Sequence, residues 1–293
     1  MRNEQQMMDL ILSCAQNDDR IRAVTMNGSR TNPNAPRDLF QDYDIVYFIH
    51  NDDWDSFIEQ ADTYPDRFGE RIIMQLPDRM DETKEHRFAF LMQFADGNRI
   101  DLSILPIEQR NRYLQEDTLT VLLLDKDGLF PSLPPASDTI HRAKKPTEKQ
   151  YHDCCNEFWW VAPYAAKGLW RDELLYAIEH ISHYLHQQLI EMLGFEMAVR
   201  YQEQISIGKC GKYLKNFLDA QRYQKLLSLS QLSTAADCWA ALFHMGEMFR
   251  ESASYVAEHM GYSYPLEDDR RVTAFLHVIQ TLEKDAQTFP PIL

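Results

Sequence analysis

The sequence predicts two units of different class: an α+β (α/β-type) domain over residues 1–140 and an all-α helical bundle over residues 141–293. Three observations predict it. Strand-like and helix-like segments alternate through the first half. "RFAFLMQFADGNRIDLSILP" reads as a hairpin, two apolar runs joined at Asp96-Gly97 and closed by Pro106. From about Pro146 onward nearly everything has helical period.

The elements follow in order. "MRNEQQMMDLILSCAQNDDRI" is an amphipathic first helix with Met7, Met8, Ile11 and Leu12 along one side, and it is too charged for a signal peptide. "IRAVTMNG" is a β-branched strand ending at Gly28, and "DYDIVYFI" is a second strand. "NDDWDSFIEQADTY" reads as a helix capped by Asn51 or Asp52. After the hairpin, "TVLLLDKDG" is a further short strand before the Pro-rich "FPSLPPASDT". In the second half, Thr147 and Gln150 stand at capping-box spacing. Helices are expected over Tyr151 to Ala166, Arg171 to Leu193, Lys212 to Ser230, Thr234 to His259 and Arg270 to Phe289.

With 293 residues the chain has ample length for a real core. Its 44% hydrophobic and 26% charged content is ordinary for a soluble globular protein. A net charge of −15 argues against a nucleic-acid partner and favours a cationic ligand. The five cysteines show no CxxC spacing, which fits reduced thiols in a cytoplasmic protein better than a zinc site. No apolar run approaches membrane-spanning length.

Asp42 and Asp44 share one face of the second strand, because side chains alternate along a strand. Two carboxylates that close repel unless a cation lies between them, and Mg²⁺ takes such oxygen ligands while leaving positions for phosphate oxygens. The plain alternative is two solvated aspartates on a polar edge. Three features favour the metal. Gly28-Ser29 closes the preceding strand, where backbone N–H groups can approach a phosphate. Arg30 follows and can neutralise phosphate charge. Asp101 stands alone between Ile100 and Leu102, a costly place for a carboxylate without a partner.

Asn27-Gly28-Ser29, Asp42-Tyr43-Asp44-Ile45 and Ile100-Asp101-Leu102 together resemble the nucleotidyltransferase superfamily. "GSRTNPNAPRDLFQDYDIVYFI", "RIDLSILPIE", "AKGLWRDELLYAIEH" and "SIGKCGKYL" extend the resemblance, over nearly the whole chain, to the aminoglycoside 6-adenylyltransferases. The resemblance implies an amino-terminal nucleotidyltransferase domain with a mixed sheet and a helical aminoglycoside-binding domain. It implies that Asp42, Asp44 and Asp101 hold two Mg²⁺ ions and that ATP is the co-substrate, with AMP passing to the 6-hydroxyl of streptomycin and pyrophosphate leaving. We expect a monomer without membrane or nucleic-acid partners.

The remaining roles fall on the helical half. Glu173 and Glu179 compete for the general base. Glu179 shares a helix flank with His183 and His186, and Glu173 lies in the first turn near His180. The three histidines fan around the helix rather than converge on a metal. Lys209 and Lys212, after Gly208 at a helix start, are expected phosphate contacts, with Lys167 a weaker one. Trp159, Trp160, Tyr164 and Trp170 are mostly core, with one or two faces suited to guanidinium groups. Rival readings keep the fold with another acceptor (a different aminoglycoside, a lincosamide, a protein hydroxyl), or make the chain a non-catalytic nucleotide-binding protein.

Overall fold

The structure is a computed structural model and describes residues 1–80 and 86–292. It forms two compact units, Met1–Ile140 and His141–Leu293.

In the first unit, helix α1 (Glu4–Gln16) begins at an Asn3 capping box and places Met7, Ile11 and Ala15 in the core. A six-stranded sheet follows, built from β1 (Ile21–Asn27), β2 (Tyr43–Ile49), β3 (Arg71–Gln75), β4 (Phe88–Phe94), β5 (Arg99–Pro106) and β6 (Val121–Asp125). Their spatial order is β3-β4-β5-β2-β1-β6. The sheet is mixed, because β2 and β5 run parallel while the other neighbours are antiparallel. Alternation along β2 divides its side chains between two clusters. Tyr43, Ile45, Tyr47 and Ile49 pack with α1, whereas Val46 and Phe48 pack with Leu105 and Tyr113 on the opposite face. Asp44 falls in the second set.

The expected hairpin is β4–β5, and Gly97 takes φ 86° in its turn, a conformation that favours glycine. Other expectations need correction. The segment from Asn51 gives only a short helix α2 (Trp54–Ile58), which neither Asn51 nor Asp52 caps. Its N-cap is Asp53, without a side-chain bond. Pro65 then sits in a separate 3₁₀ turn, Tyr64–Phe68, where its missing N–H costs nothing. Strand β3 went unexpected because Ile72 and Ile73 are both exposed, so no alternation marks it. The short helices α3 (Pro77–Met80) and α4 (Arg110–Glu116) lack an apolar stripe, and Tyr113 is the buried residue of α4.

The second unit is all-helical. Its first helix, α5 (Glu148–Trp170), starts where expected, with Gln150 N–H donating to Thr147 Oγ1 and Thr147 N–H donating to Gln150 Oε1. It continues past Ala166 to Trp170 despite Pro163. The single helix expected over Arg171–Leu193 is instead three segments. Asp172 at φ 63° ends α5, α6 (Leu174–Glu179) begins after Glu173, and a π-helical stretch, His180–Leu185, leads into α7 (His186–Arg200). The helix expected from Lys212 begins only at α8 (Ala220–Ser228). Gly208, Cys210 and Gly211 all have positive φ, so the chain before it makes two 3₁₀ turns, Lys209–Gly211 and Leu214–Asn216. The remaining helices are α9 (Ala235–Met260) and α10 (Leu266–Thr281). Among the described residues no helix is long and apolar enough to cross a membrane.

Candidate active site

Three neighbouring strands bring the key side chains into one row. Asn27 on β1 pairs with Asp44 on β2, and Asp44 pairs with Asp101 on β5. Asp44 and Asp101 face a cavity of about 740 Å³, whose wall also carries Asn27, Ser103, Arg87 and Arg112. Asp42 stands one residue before β2, in i, i+2 relation to Asp44.

The electrostatics of this row are unbalanced. Burial, then Asp101, then Asp42 push the Asp44 carboxyl up to about 6. No side-chain hydrogen bond or ion pair reaches it among the described residues. Asp42 is also raised, by burial first and by Asp101 in part, against the opposing charge of Arg99. That arginine grips Asp101 with two parallel bonds, Nε to Oδ1 and Nη2 to Oδ2, both 2.8 Å, and its Nε lies 3.5 Å from Asp42.

Gly28 and Arg30 have distinct tasks. Gly28 lies at φ 75°, and a Cβ there would stand 1.9 Å from Asp44 Oδ2. Only a residue without a side chain lets the turn pass the carboxylate. Ser29 accepts a hydrogen bond from Gln41 Nε2 at its backbone carbonyl. Arg30, expected at phosphate, is held by the fold in this structure. Its guanidinium is buried, donates to the carbonyls of Gln41 (2.8 Å) and Asp42 (3.1 Å), and lies 3.7 Å over the Tyr43 ring. It positions the strand that carries the aspartates.

The cavity wall also carries three carboxylates that the sequence did not single out, Asp78, Glu116 and Asp117, and the cations Arg87 and Arg112. Asp117 lines the same cavity and accepts from Asn27 Nδ2 at 3.2 Å and from the Leu119 N–H at 2.8 Å. The only signal was its place as a short polar residue before a strand, a common turn pattern. Arg87 and Arg112 stand in polar stretches without motif.

The remaining expected residues lie in the helical unit. Glu173 is exposed at the N-cap of α6, not in its first turn, and is 3.9 Å from Arg171. Glu179 is exposed at the end of α6, and the π-helical stretch after it alters the simple four-residue spacing to His183 and His186. The His180 ring sits 4.1 Å from that of Tyr176 and 5.3 Å from that of Tyr184. Lys209 and Lys212 are exposed, but Lys209 opens a 3₁₀ turn and Lys212 follows it, so the expected helix N-terminus is not there. Trp159 is buried and donates to the Tyr264 hydroxyl, whereas Trp160 is 64% exposed. Trp160, Tyr164 and Lys167 border a cavity of about 350 Å³. Trp170 donates to the Leu282 carbonyl.

The donor set suits a hard divalent cation in kind: three carboxylates, two of them with raised pKa. Among the described residues no three His, Cys, Asp or Glu side chains are gathered as a ready-made ligand cage. Both oxygens of Asp101 are bonded to Arg99.

The model of the streptomycin adenylyltransferase family matches residues 1–279. The aminoglycoside 6-adenylyltransferase of Campylobacter jejuni is 38% identical over 92% of this chain and 93% of its own length. That of Bacillus subtilis (strain 168) is 39% identical over 92% of this chain and 95% of its own. A crystal structure of an aminoglycoside 6-adenyltransferase from Bacillus subtilis is 34% identical, covers 96% of this chain and 100% of that one, and superposes with a TM-score of 0.47.

Proposed function

The chain belongs to the streptomycin adenylyltransferase family, and on that premise we propose that it transfers AMP from ATP to the 6-hydroxyl of streptomycin, releasing pyrophosphate. One observation carries the reading: Asp44 and Asp101 are in register across β2 and β5 on the wall of a single cavity, against a glycine turn that admits no side chain.

Asp42, Asp44 and Asp101 would hold Mg²⁺. The chemistry it supplies when bound is neutralisation of charge on the triphosphate and at the displaced α-phosphoryl group. The chain's own residues bind and orient. Arg30 fixes the backbone of Gln41 and Asp42, and Gly28 keeps the turn close against Asp44. Asn27 links the row to Asp117. Arg87 and Arg112 on the cavity wall are suited to phosphate oxygens. Lys209 and Lys212 of the helical unit are further phosphate contacts in this reading. The acceptor hydroxyl's proton goes to one of two exposed carboxylates, Glu173 or Glu179. The net charge of −15 favours capture of a cationic drug at low salt.

Pyrophosphate release from ATP and Mg²⁺ across streptomycin, kanamycin and lincomycin tests the assignment. Release with streptomycin is expected. Release only with the other two overturns the acceptor, and release with none overturns the activity.

A further inference from the structure

Two arginines flank the carboxylate row, and they are placed very differently. Arg30 is buried and bonded to backbone carbonyls, so it belongs to the fold. Arg99 has a side chain 41% exposed, and its partners among the described residues are the carboxylates of Asp101 and Asp42 alone. It opens β5 two residues before Asp101, so both side chains rise from the same face of the strand. A planar guanidinium matches a carboxylate fork, and here it covers both Asp101 oxygens. Those are the oxygens a divalent cation needs. With one face toward solvent, the long Arg99 side chain has room to leave without any backbone change.

Resting on the reading that these carboxylates hold a divalent cation, we propose that Arg99 is the resident counter-cation of the cluster, holding Asp101 and Asp42 before metal arrives and displaced from Asp101 when it binds. The metal-free enzyme then escapes an uncompensated row of three aspartates, and the same contact sets the metal concentration at which the site loads. Metal affinity is reduced by the fraction of molecules in which Asp101 is covered. Once released, the guanidinium remains beside the site and is free to meet a phosphate oxygen.

The test uses the full chain without nucleotide and Mn²⁺ as the probe, with free Mn²⁺ followed by electron paramagnetic resonance. Arg99→Met is expected to bind Mn²⁺ about tenfold more tightly than the parent, the figure for a site covered in about nine molecules of ten. Arg99→Lys keeps the charge but loses the two-pronged grip, and should fall between them. Because removing any nearby positive charge strengthens cation binding, a second readout is needed. The Arg99 side-chain Nε–H resonance of the parent should shift and exchange faster with water as diamagnetic Mg²⁺ is added. A resonance unmoved at saturating Mg²⁺, or an Arg99→Met affinity within about twofold of the parent, overturns the displacement. Asp101→Asn separates the two readings. If it retains parental Mn²⁺ affinity, the cation does not sit on these carboxylates and the metal reading itself fails. If it loses Mn²⁺ binding while Arg99→Met is unchanged, only the role of Arg99 falls.

Discussion

Glu196 on α7 and Asp44 on β2 are carboxylates withdrawn from water in separate units, and the protein treats them in opposite ways. Glu196 is fully buried. Arg222 meets it with two bonds of 2.7 and 2.6 Å, and Arg200 adds a third of 2.7 Å. Burial works to raise its pKa, but the hydrogen bonds and charge of Arg222, then Arg200, outweigh it and leave the group below its usual range. At Asp44 burial, Asp101 and Asp42 all push the same way, and only Arg99, at a distance, opposes them. Glu196 is completed by its arginines, whereas Asp44 is left unfinished. A charge left unfinished in a cavity marks where something else is meant to bind.

That comparison can be broken experimentally, beginning where the effect is largest. Alanine at Asp42, Asp44 or Asp101 should each lower AMP transfer by roughly a thousandfold or more while far-UV circular dichroism stays parental. Near-normal turnover in Asp42→Ala would remove the row from the chemistry. Glu196→Ala should cost about 3–5 kcal/mol in urea unfolding, because it strands the Arg222 charge in the interior. A loss under about 1 kcal/mol would show that pair to be ornamental.

Asp44→Asn should move stability the other way. The Asp44 carboxyl has a pKa of about 6 folded against an ordinary 3.8, so the folded chain holds the extra proton between those values. Its contribution to stability is full below pH 3.8 and is lost as pH rises past about 6. Removing the charge should therefore stabilise the metal-free protein at pH 7 by about 3 kcal/mol, and the gain should shrink to under about 1 kcal/mol near pH 4. Equal unfolding midpoints at pH 7 would mean the carboxylate is already compensated.

How much of this was legible in the sequence depends on which residues speak locally. The hairpin announced itself through Asp96-Gly97 and paired apolar runs, and the start of α5 through Thr147 and Gln150. Asp44 and Asp101 were visible as charges out of place in strands, and Asp42 through its i, i+2 spacing to Asp44. Their alignment was not, because the parallel pairing of β2 with β5 joins segments separated in sequence by two strands, β3 and β4, and two short helices, α2 and α3. Arg30 illustrates the same gap: its neighbours in sequence suggested phosphate, and its neighbours in space are carbonyls. Around Lys209 the reading failed for a backbone reason. A non-glycine residue at positive φ, Cys210 between Gly208 and Gly211, leaves little trace in composition.

The clamp formed by Arg30 also has an evolutionary side. Its bonds to Gln41 and Asp42, with the bond from Gln41 to the Ser29 carbonyl, tie off the base of the segment from Thr31 to Phe40. Whatever happens beyond that knot need not reach Asp42. Lengthening a tethered loop is cheap, about 0.6 kcal/mol for each doubling. Asn34 adds a further tie, donating to the buried Asp138 at 2.9 Å. The exposed stretch Pro36–Phe40 beyond it is therefore where insertions are best tolerated, and a natural position for a randomised library.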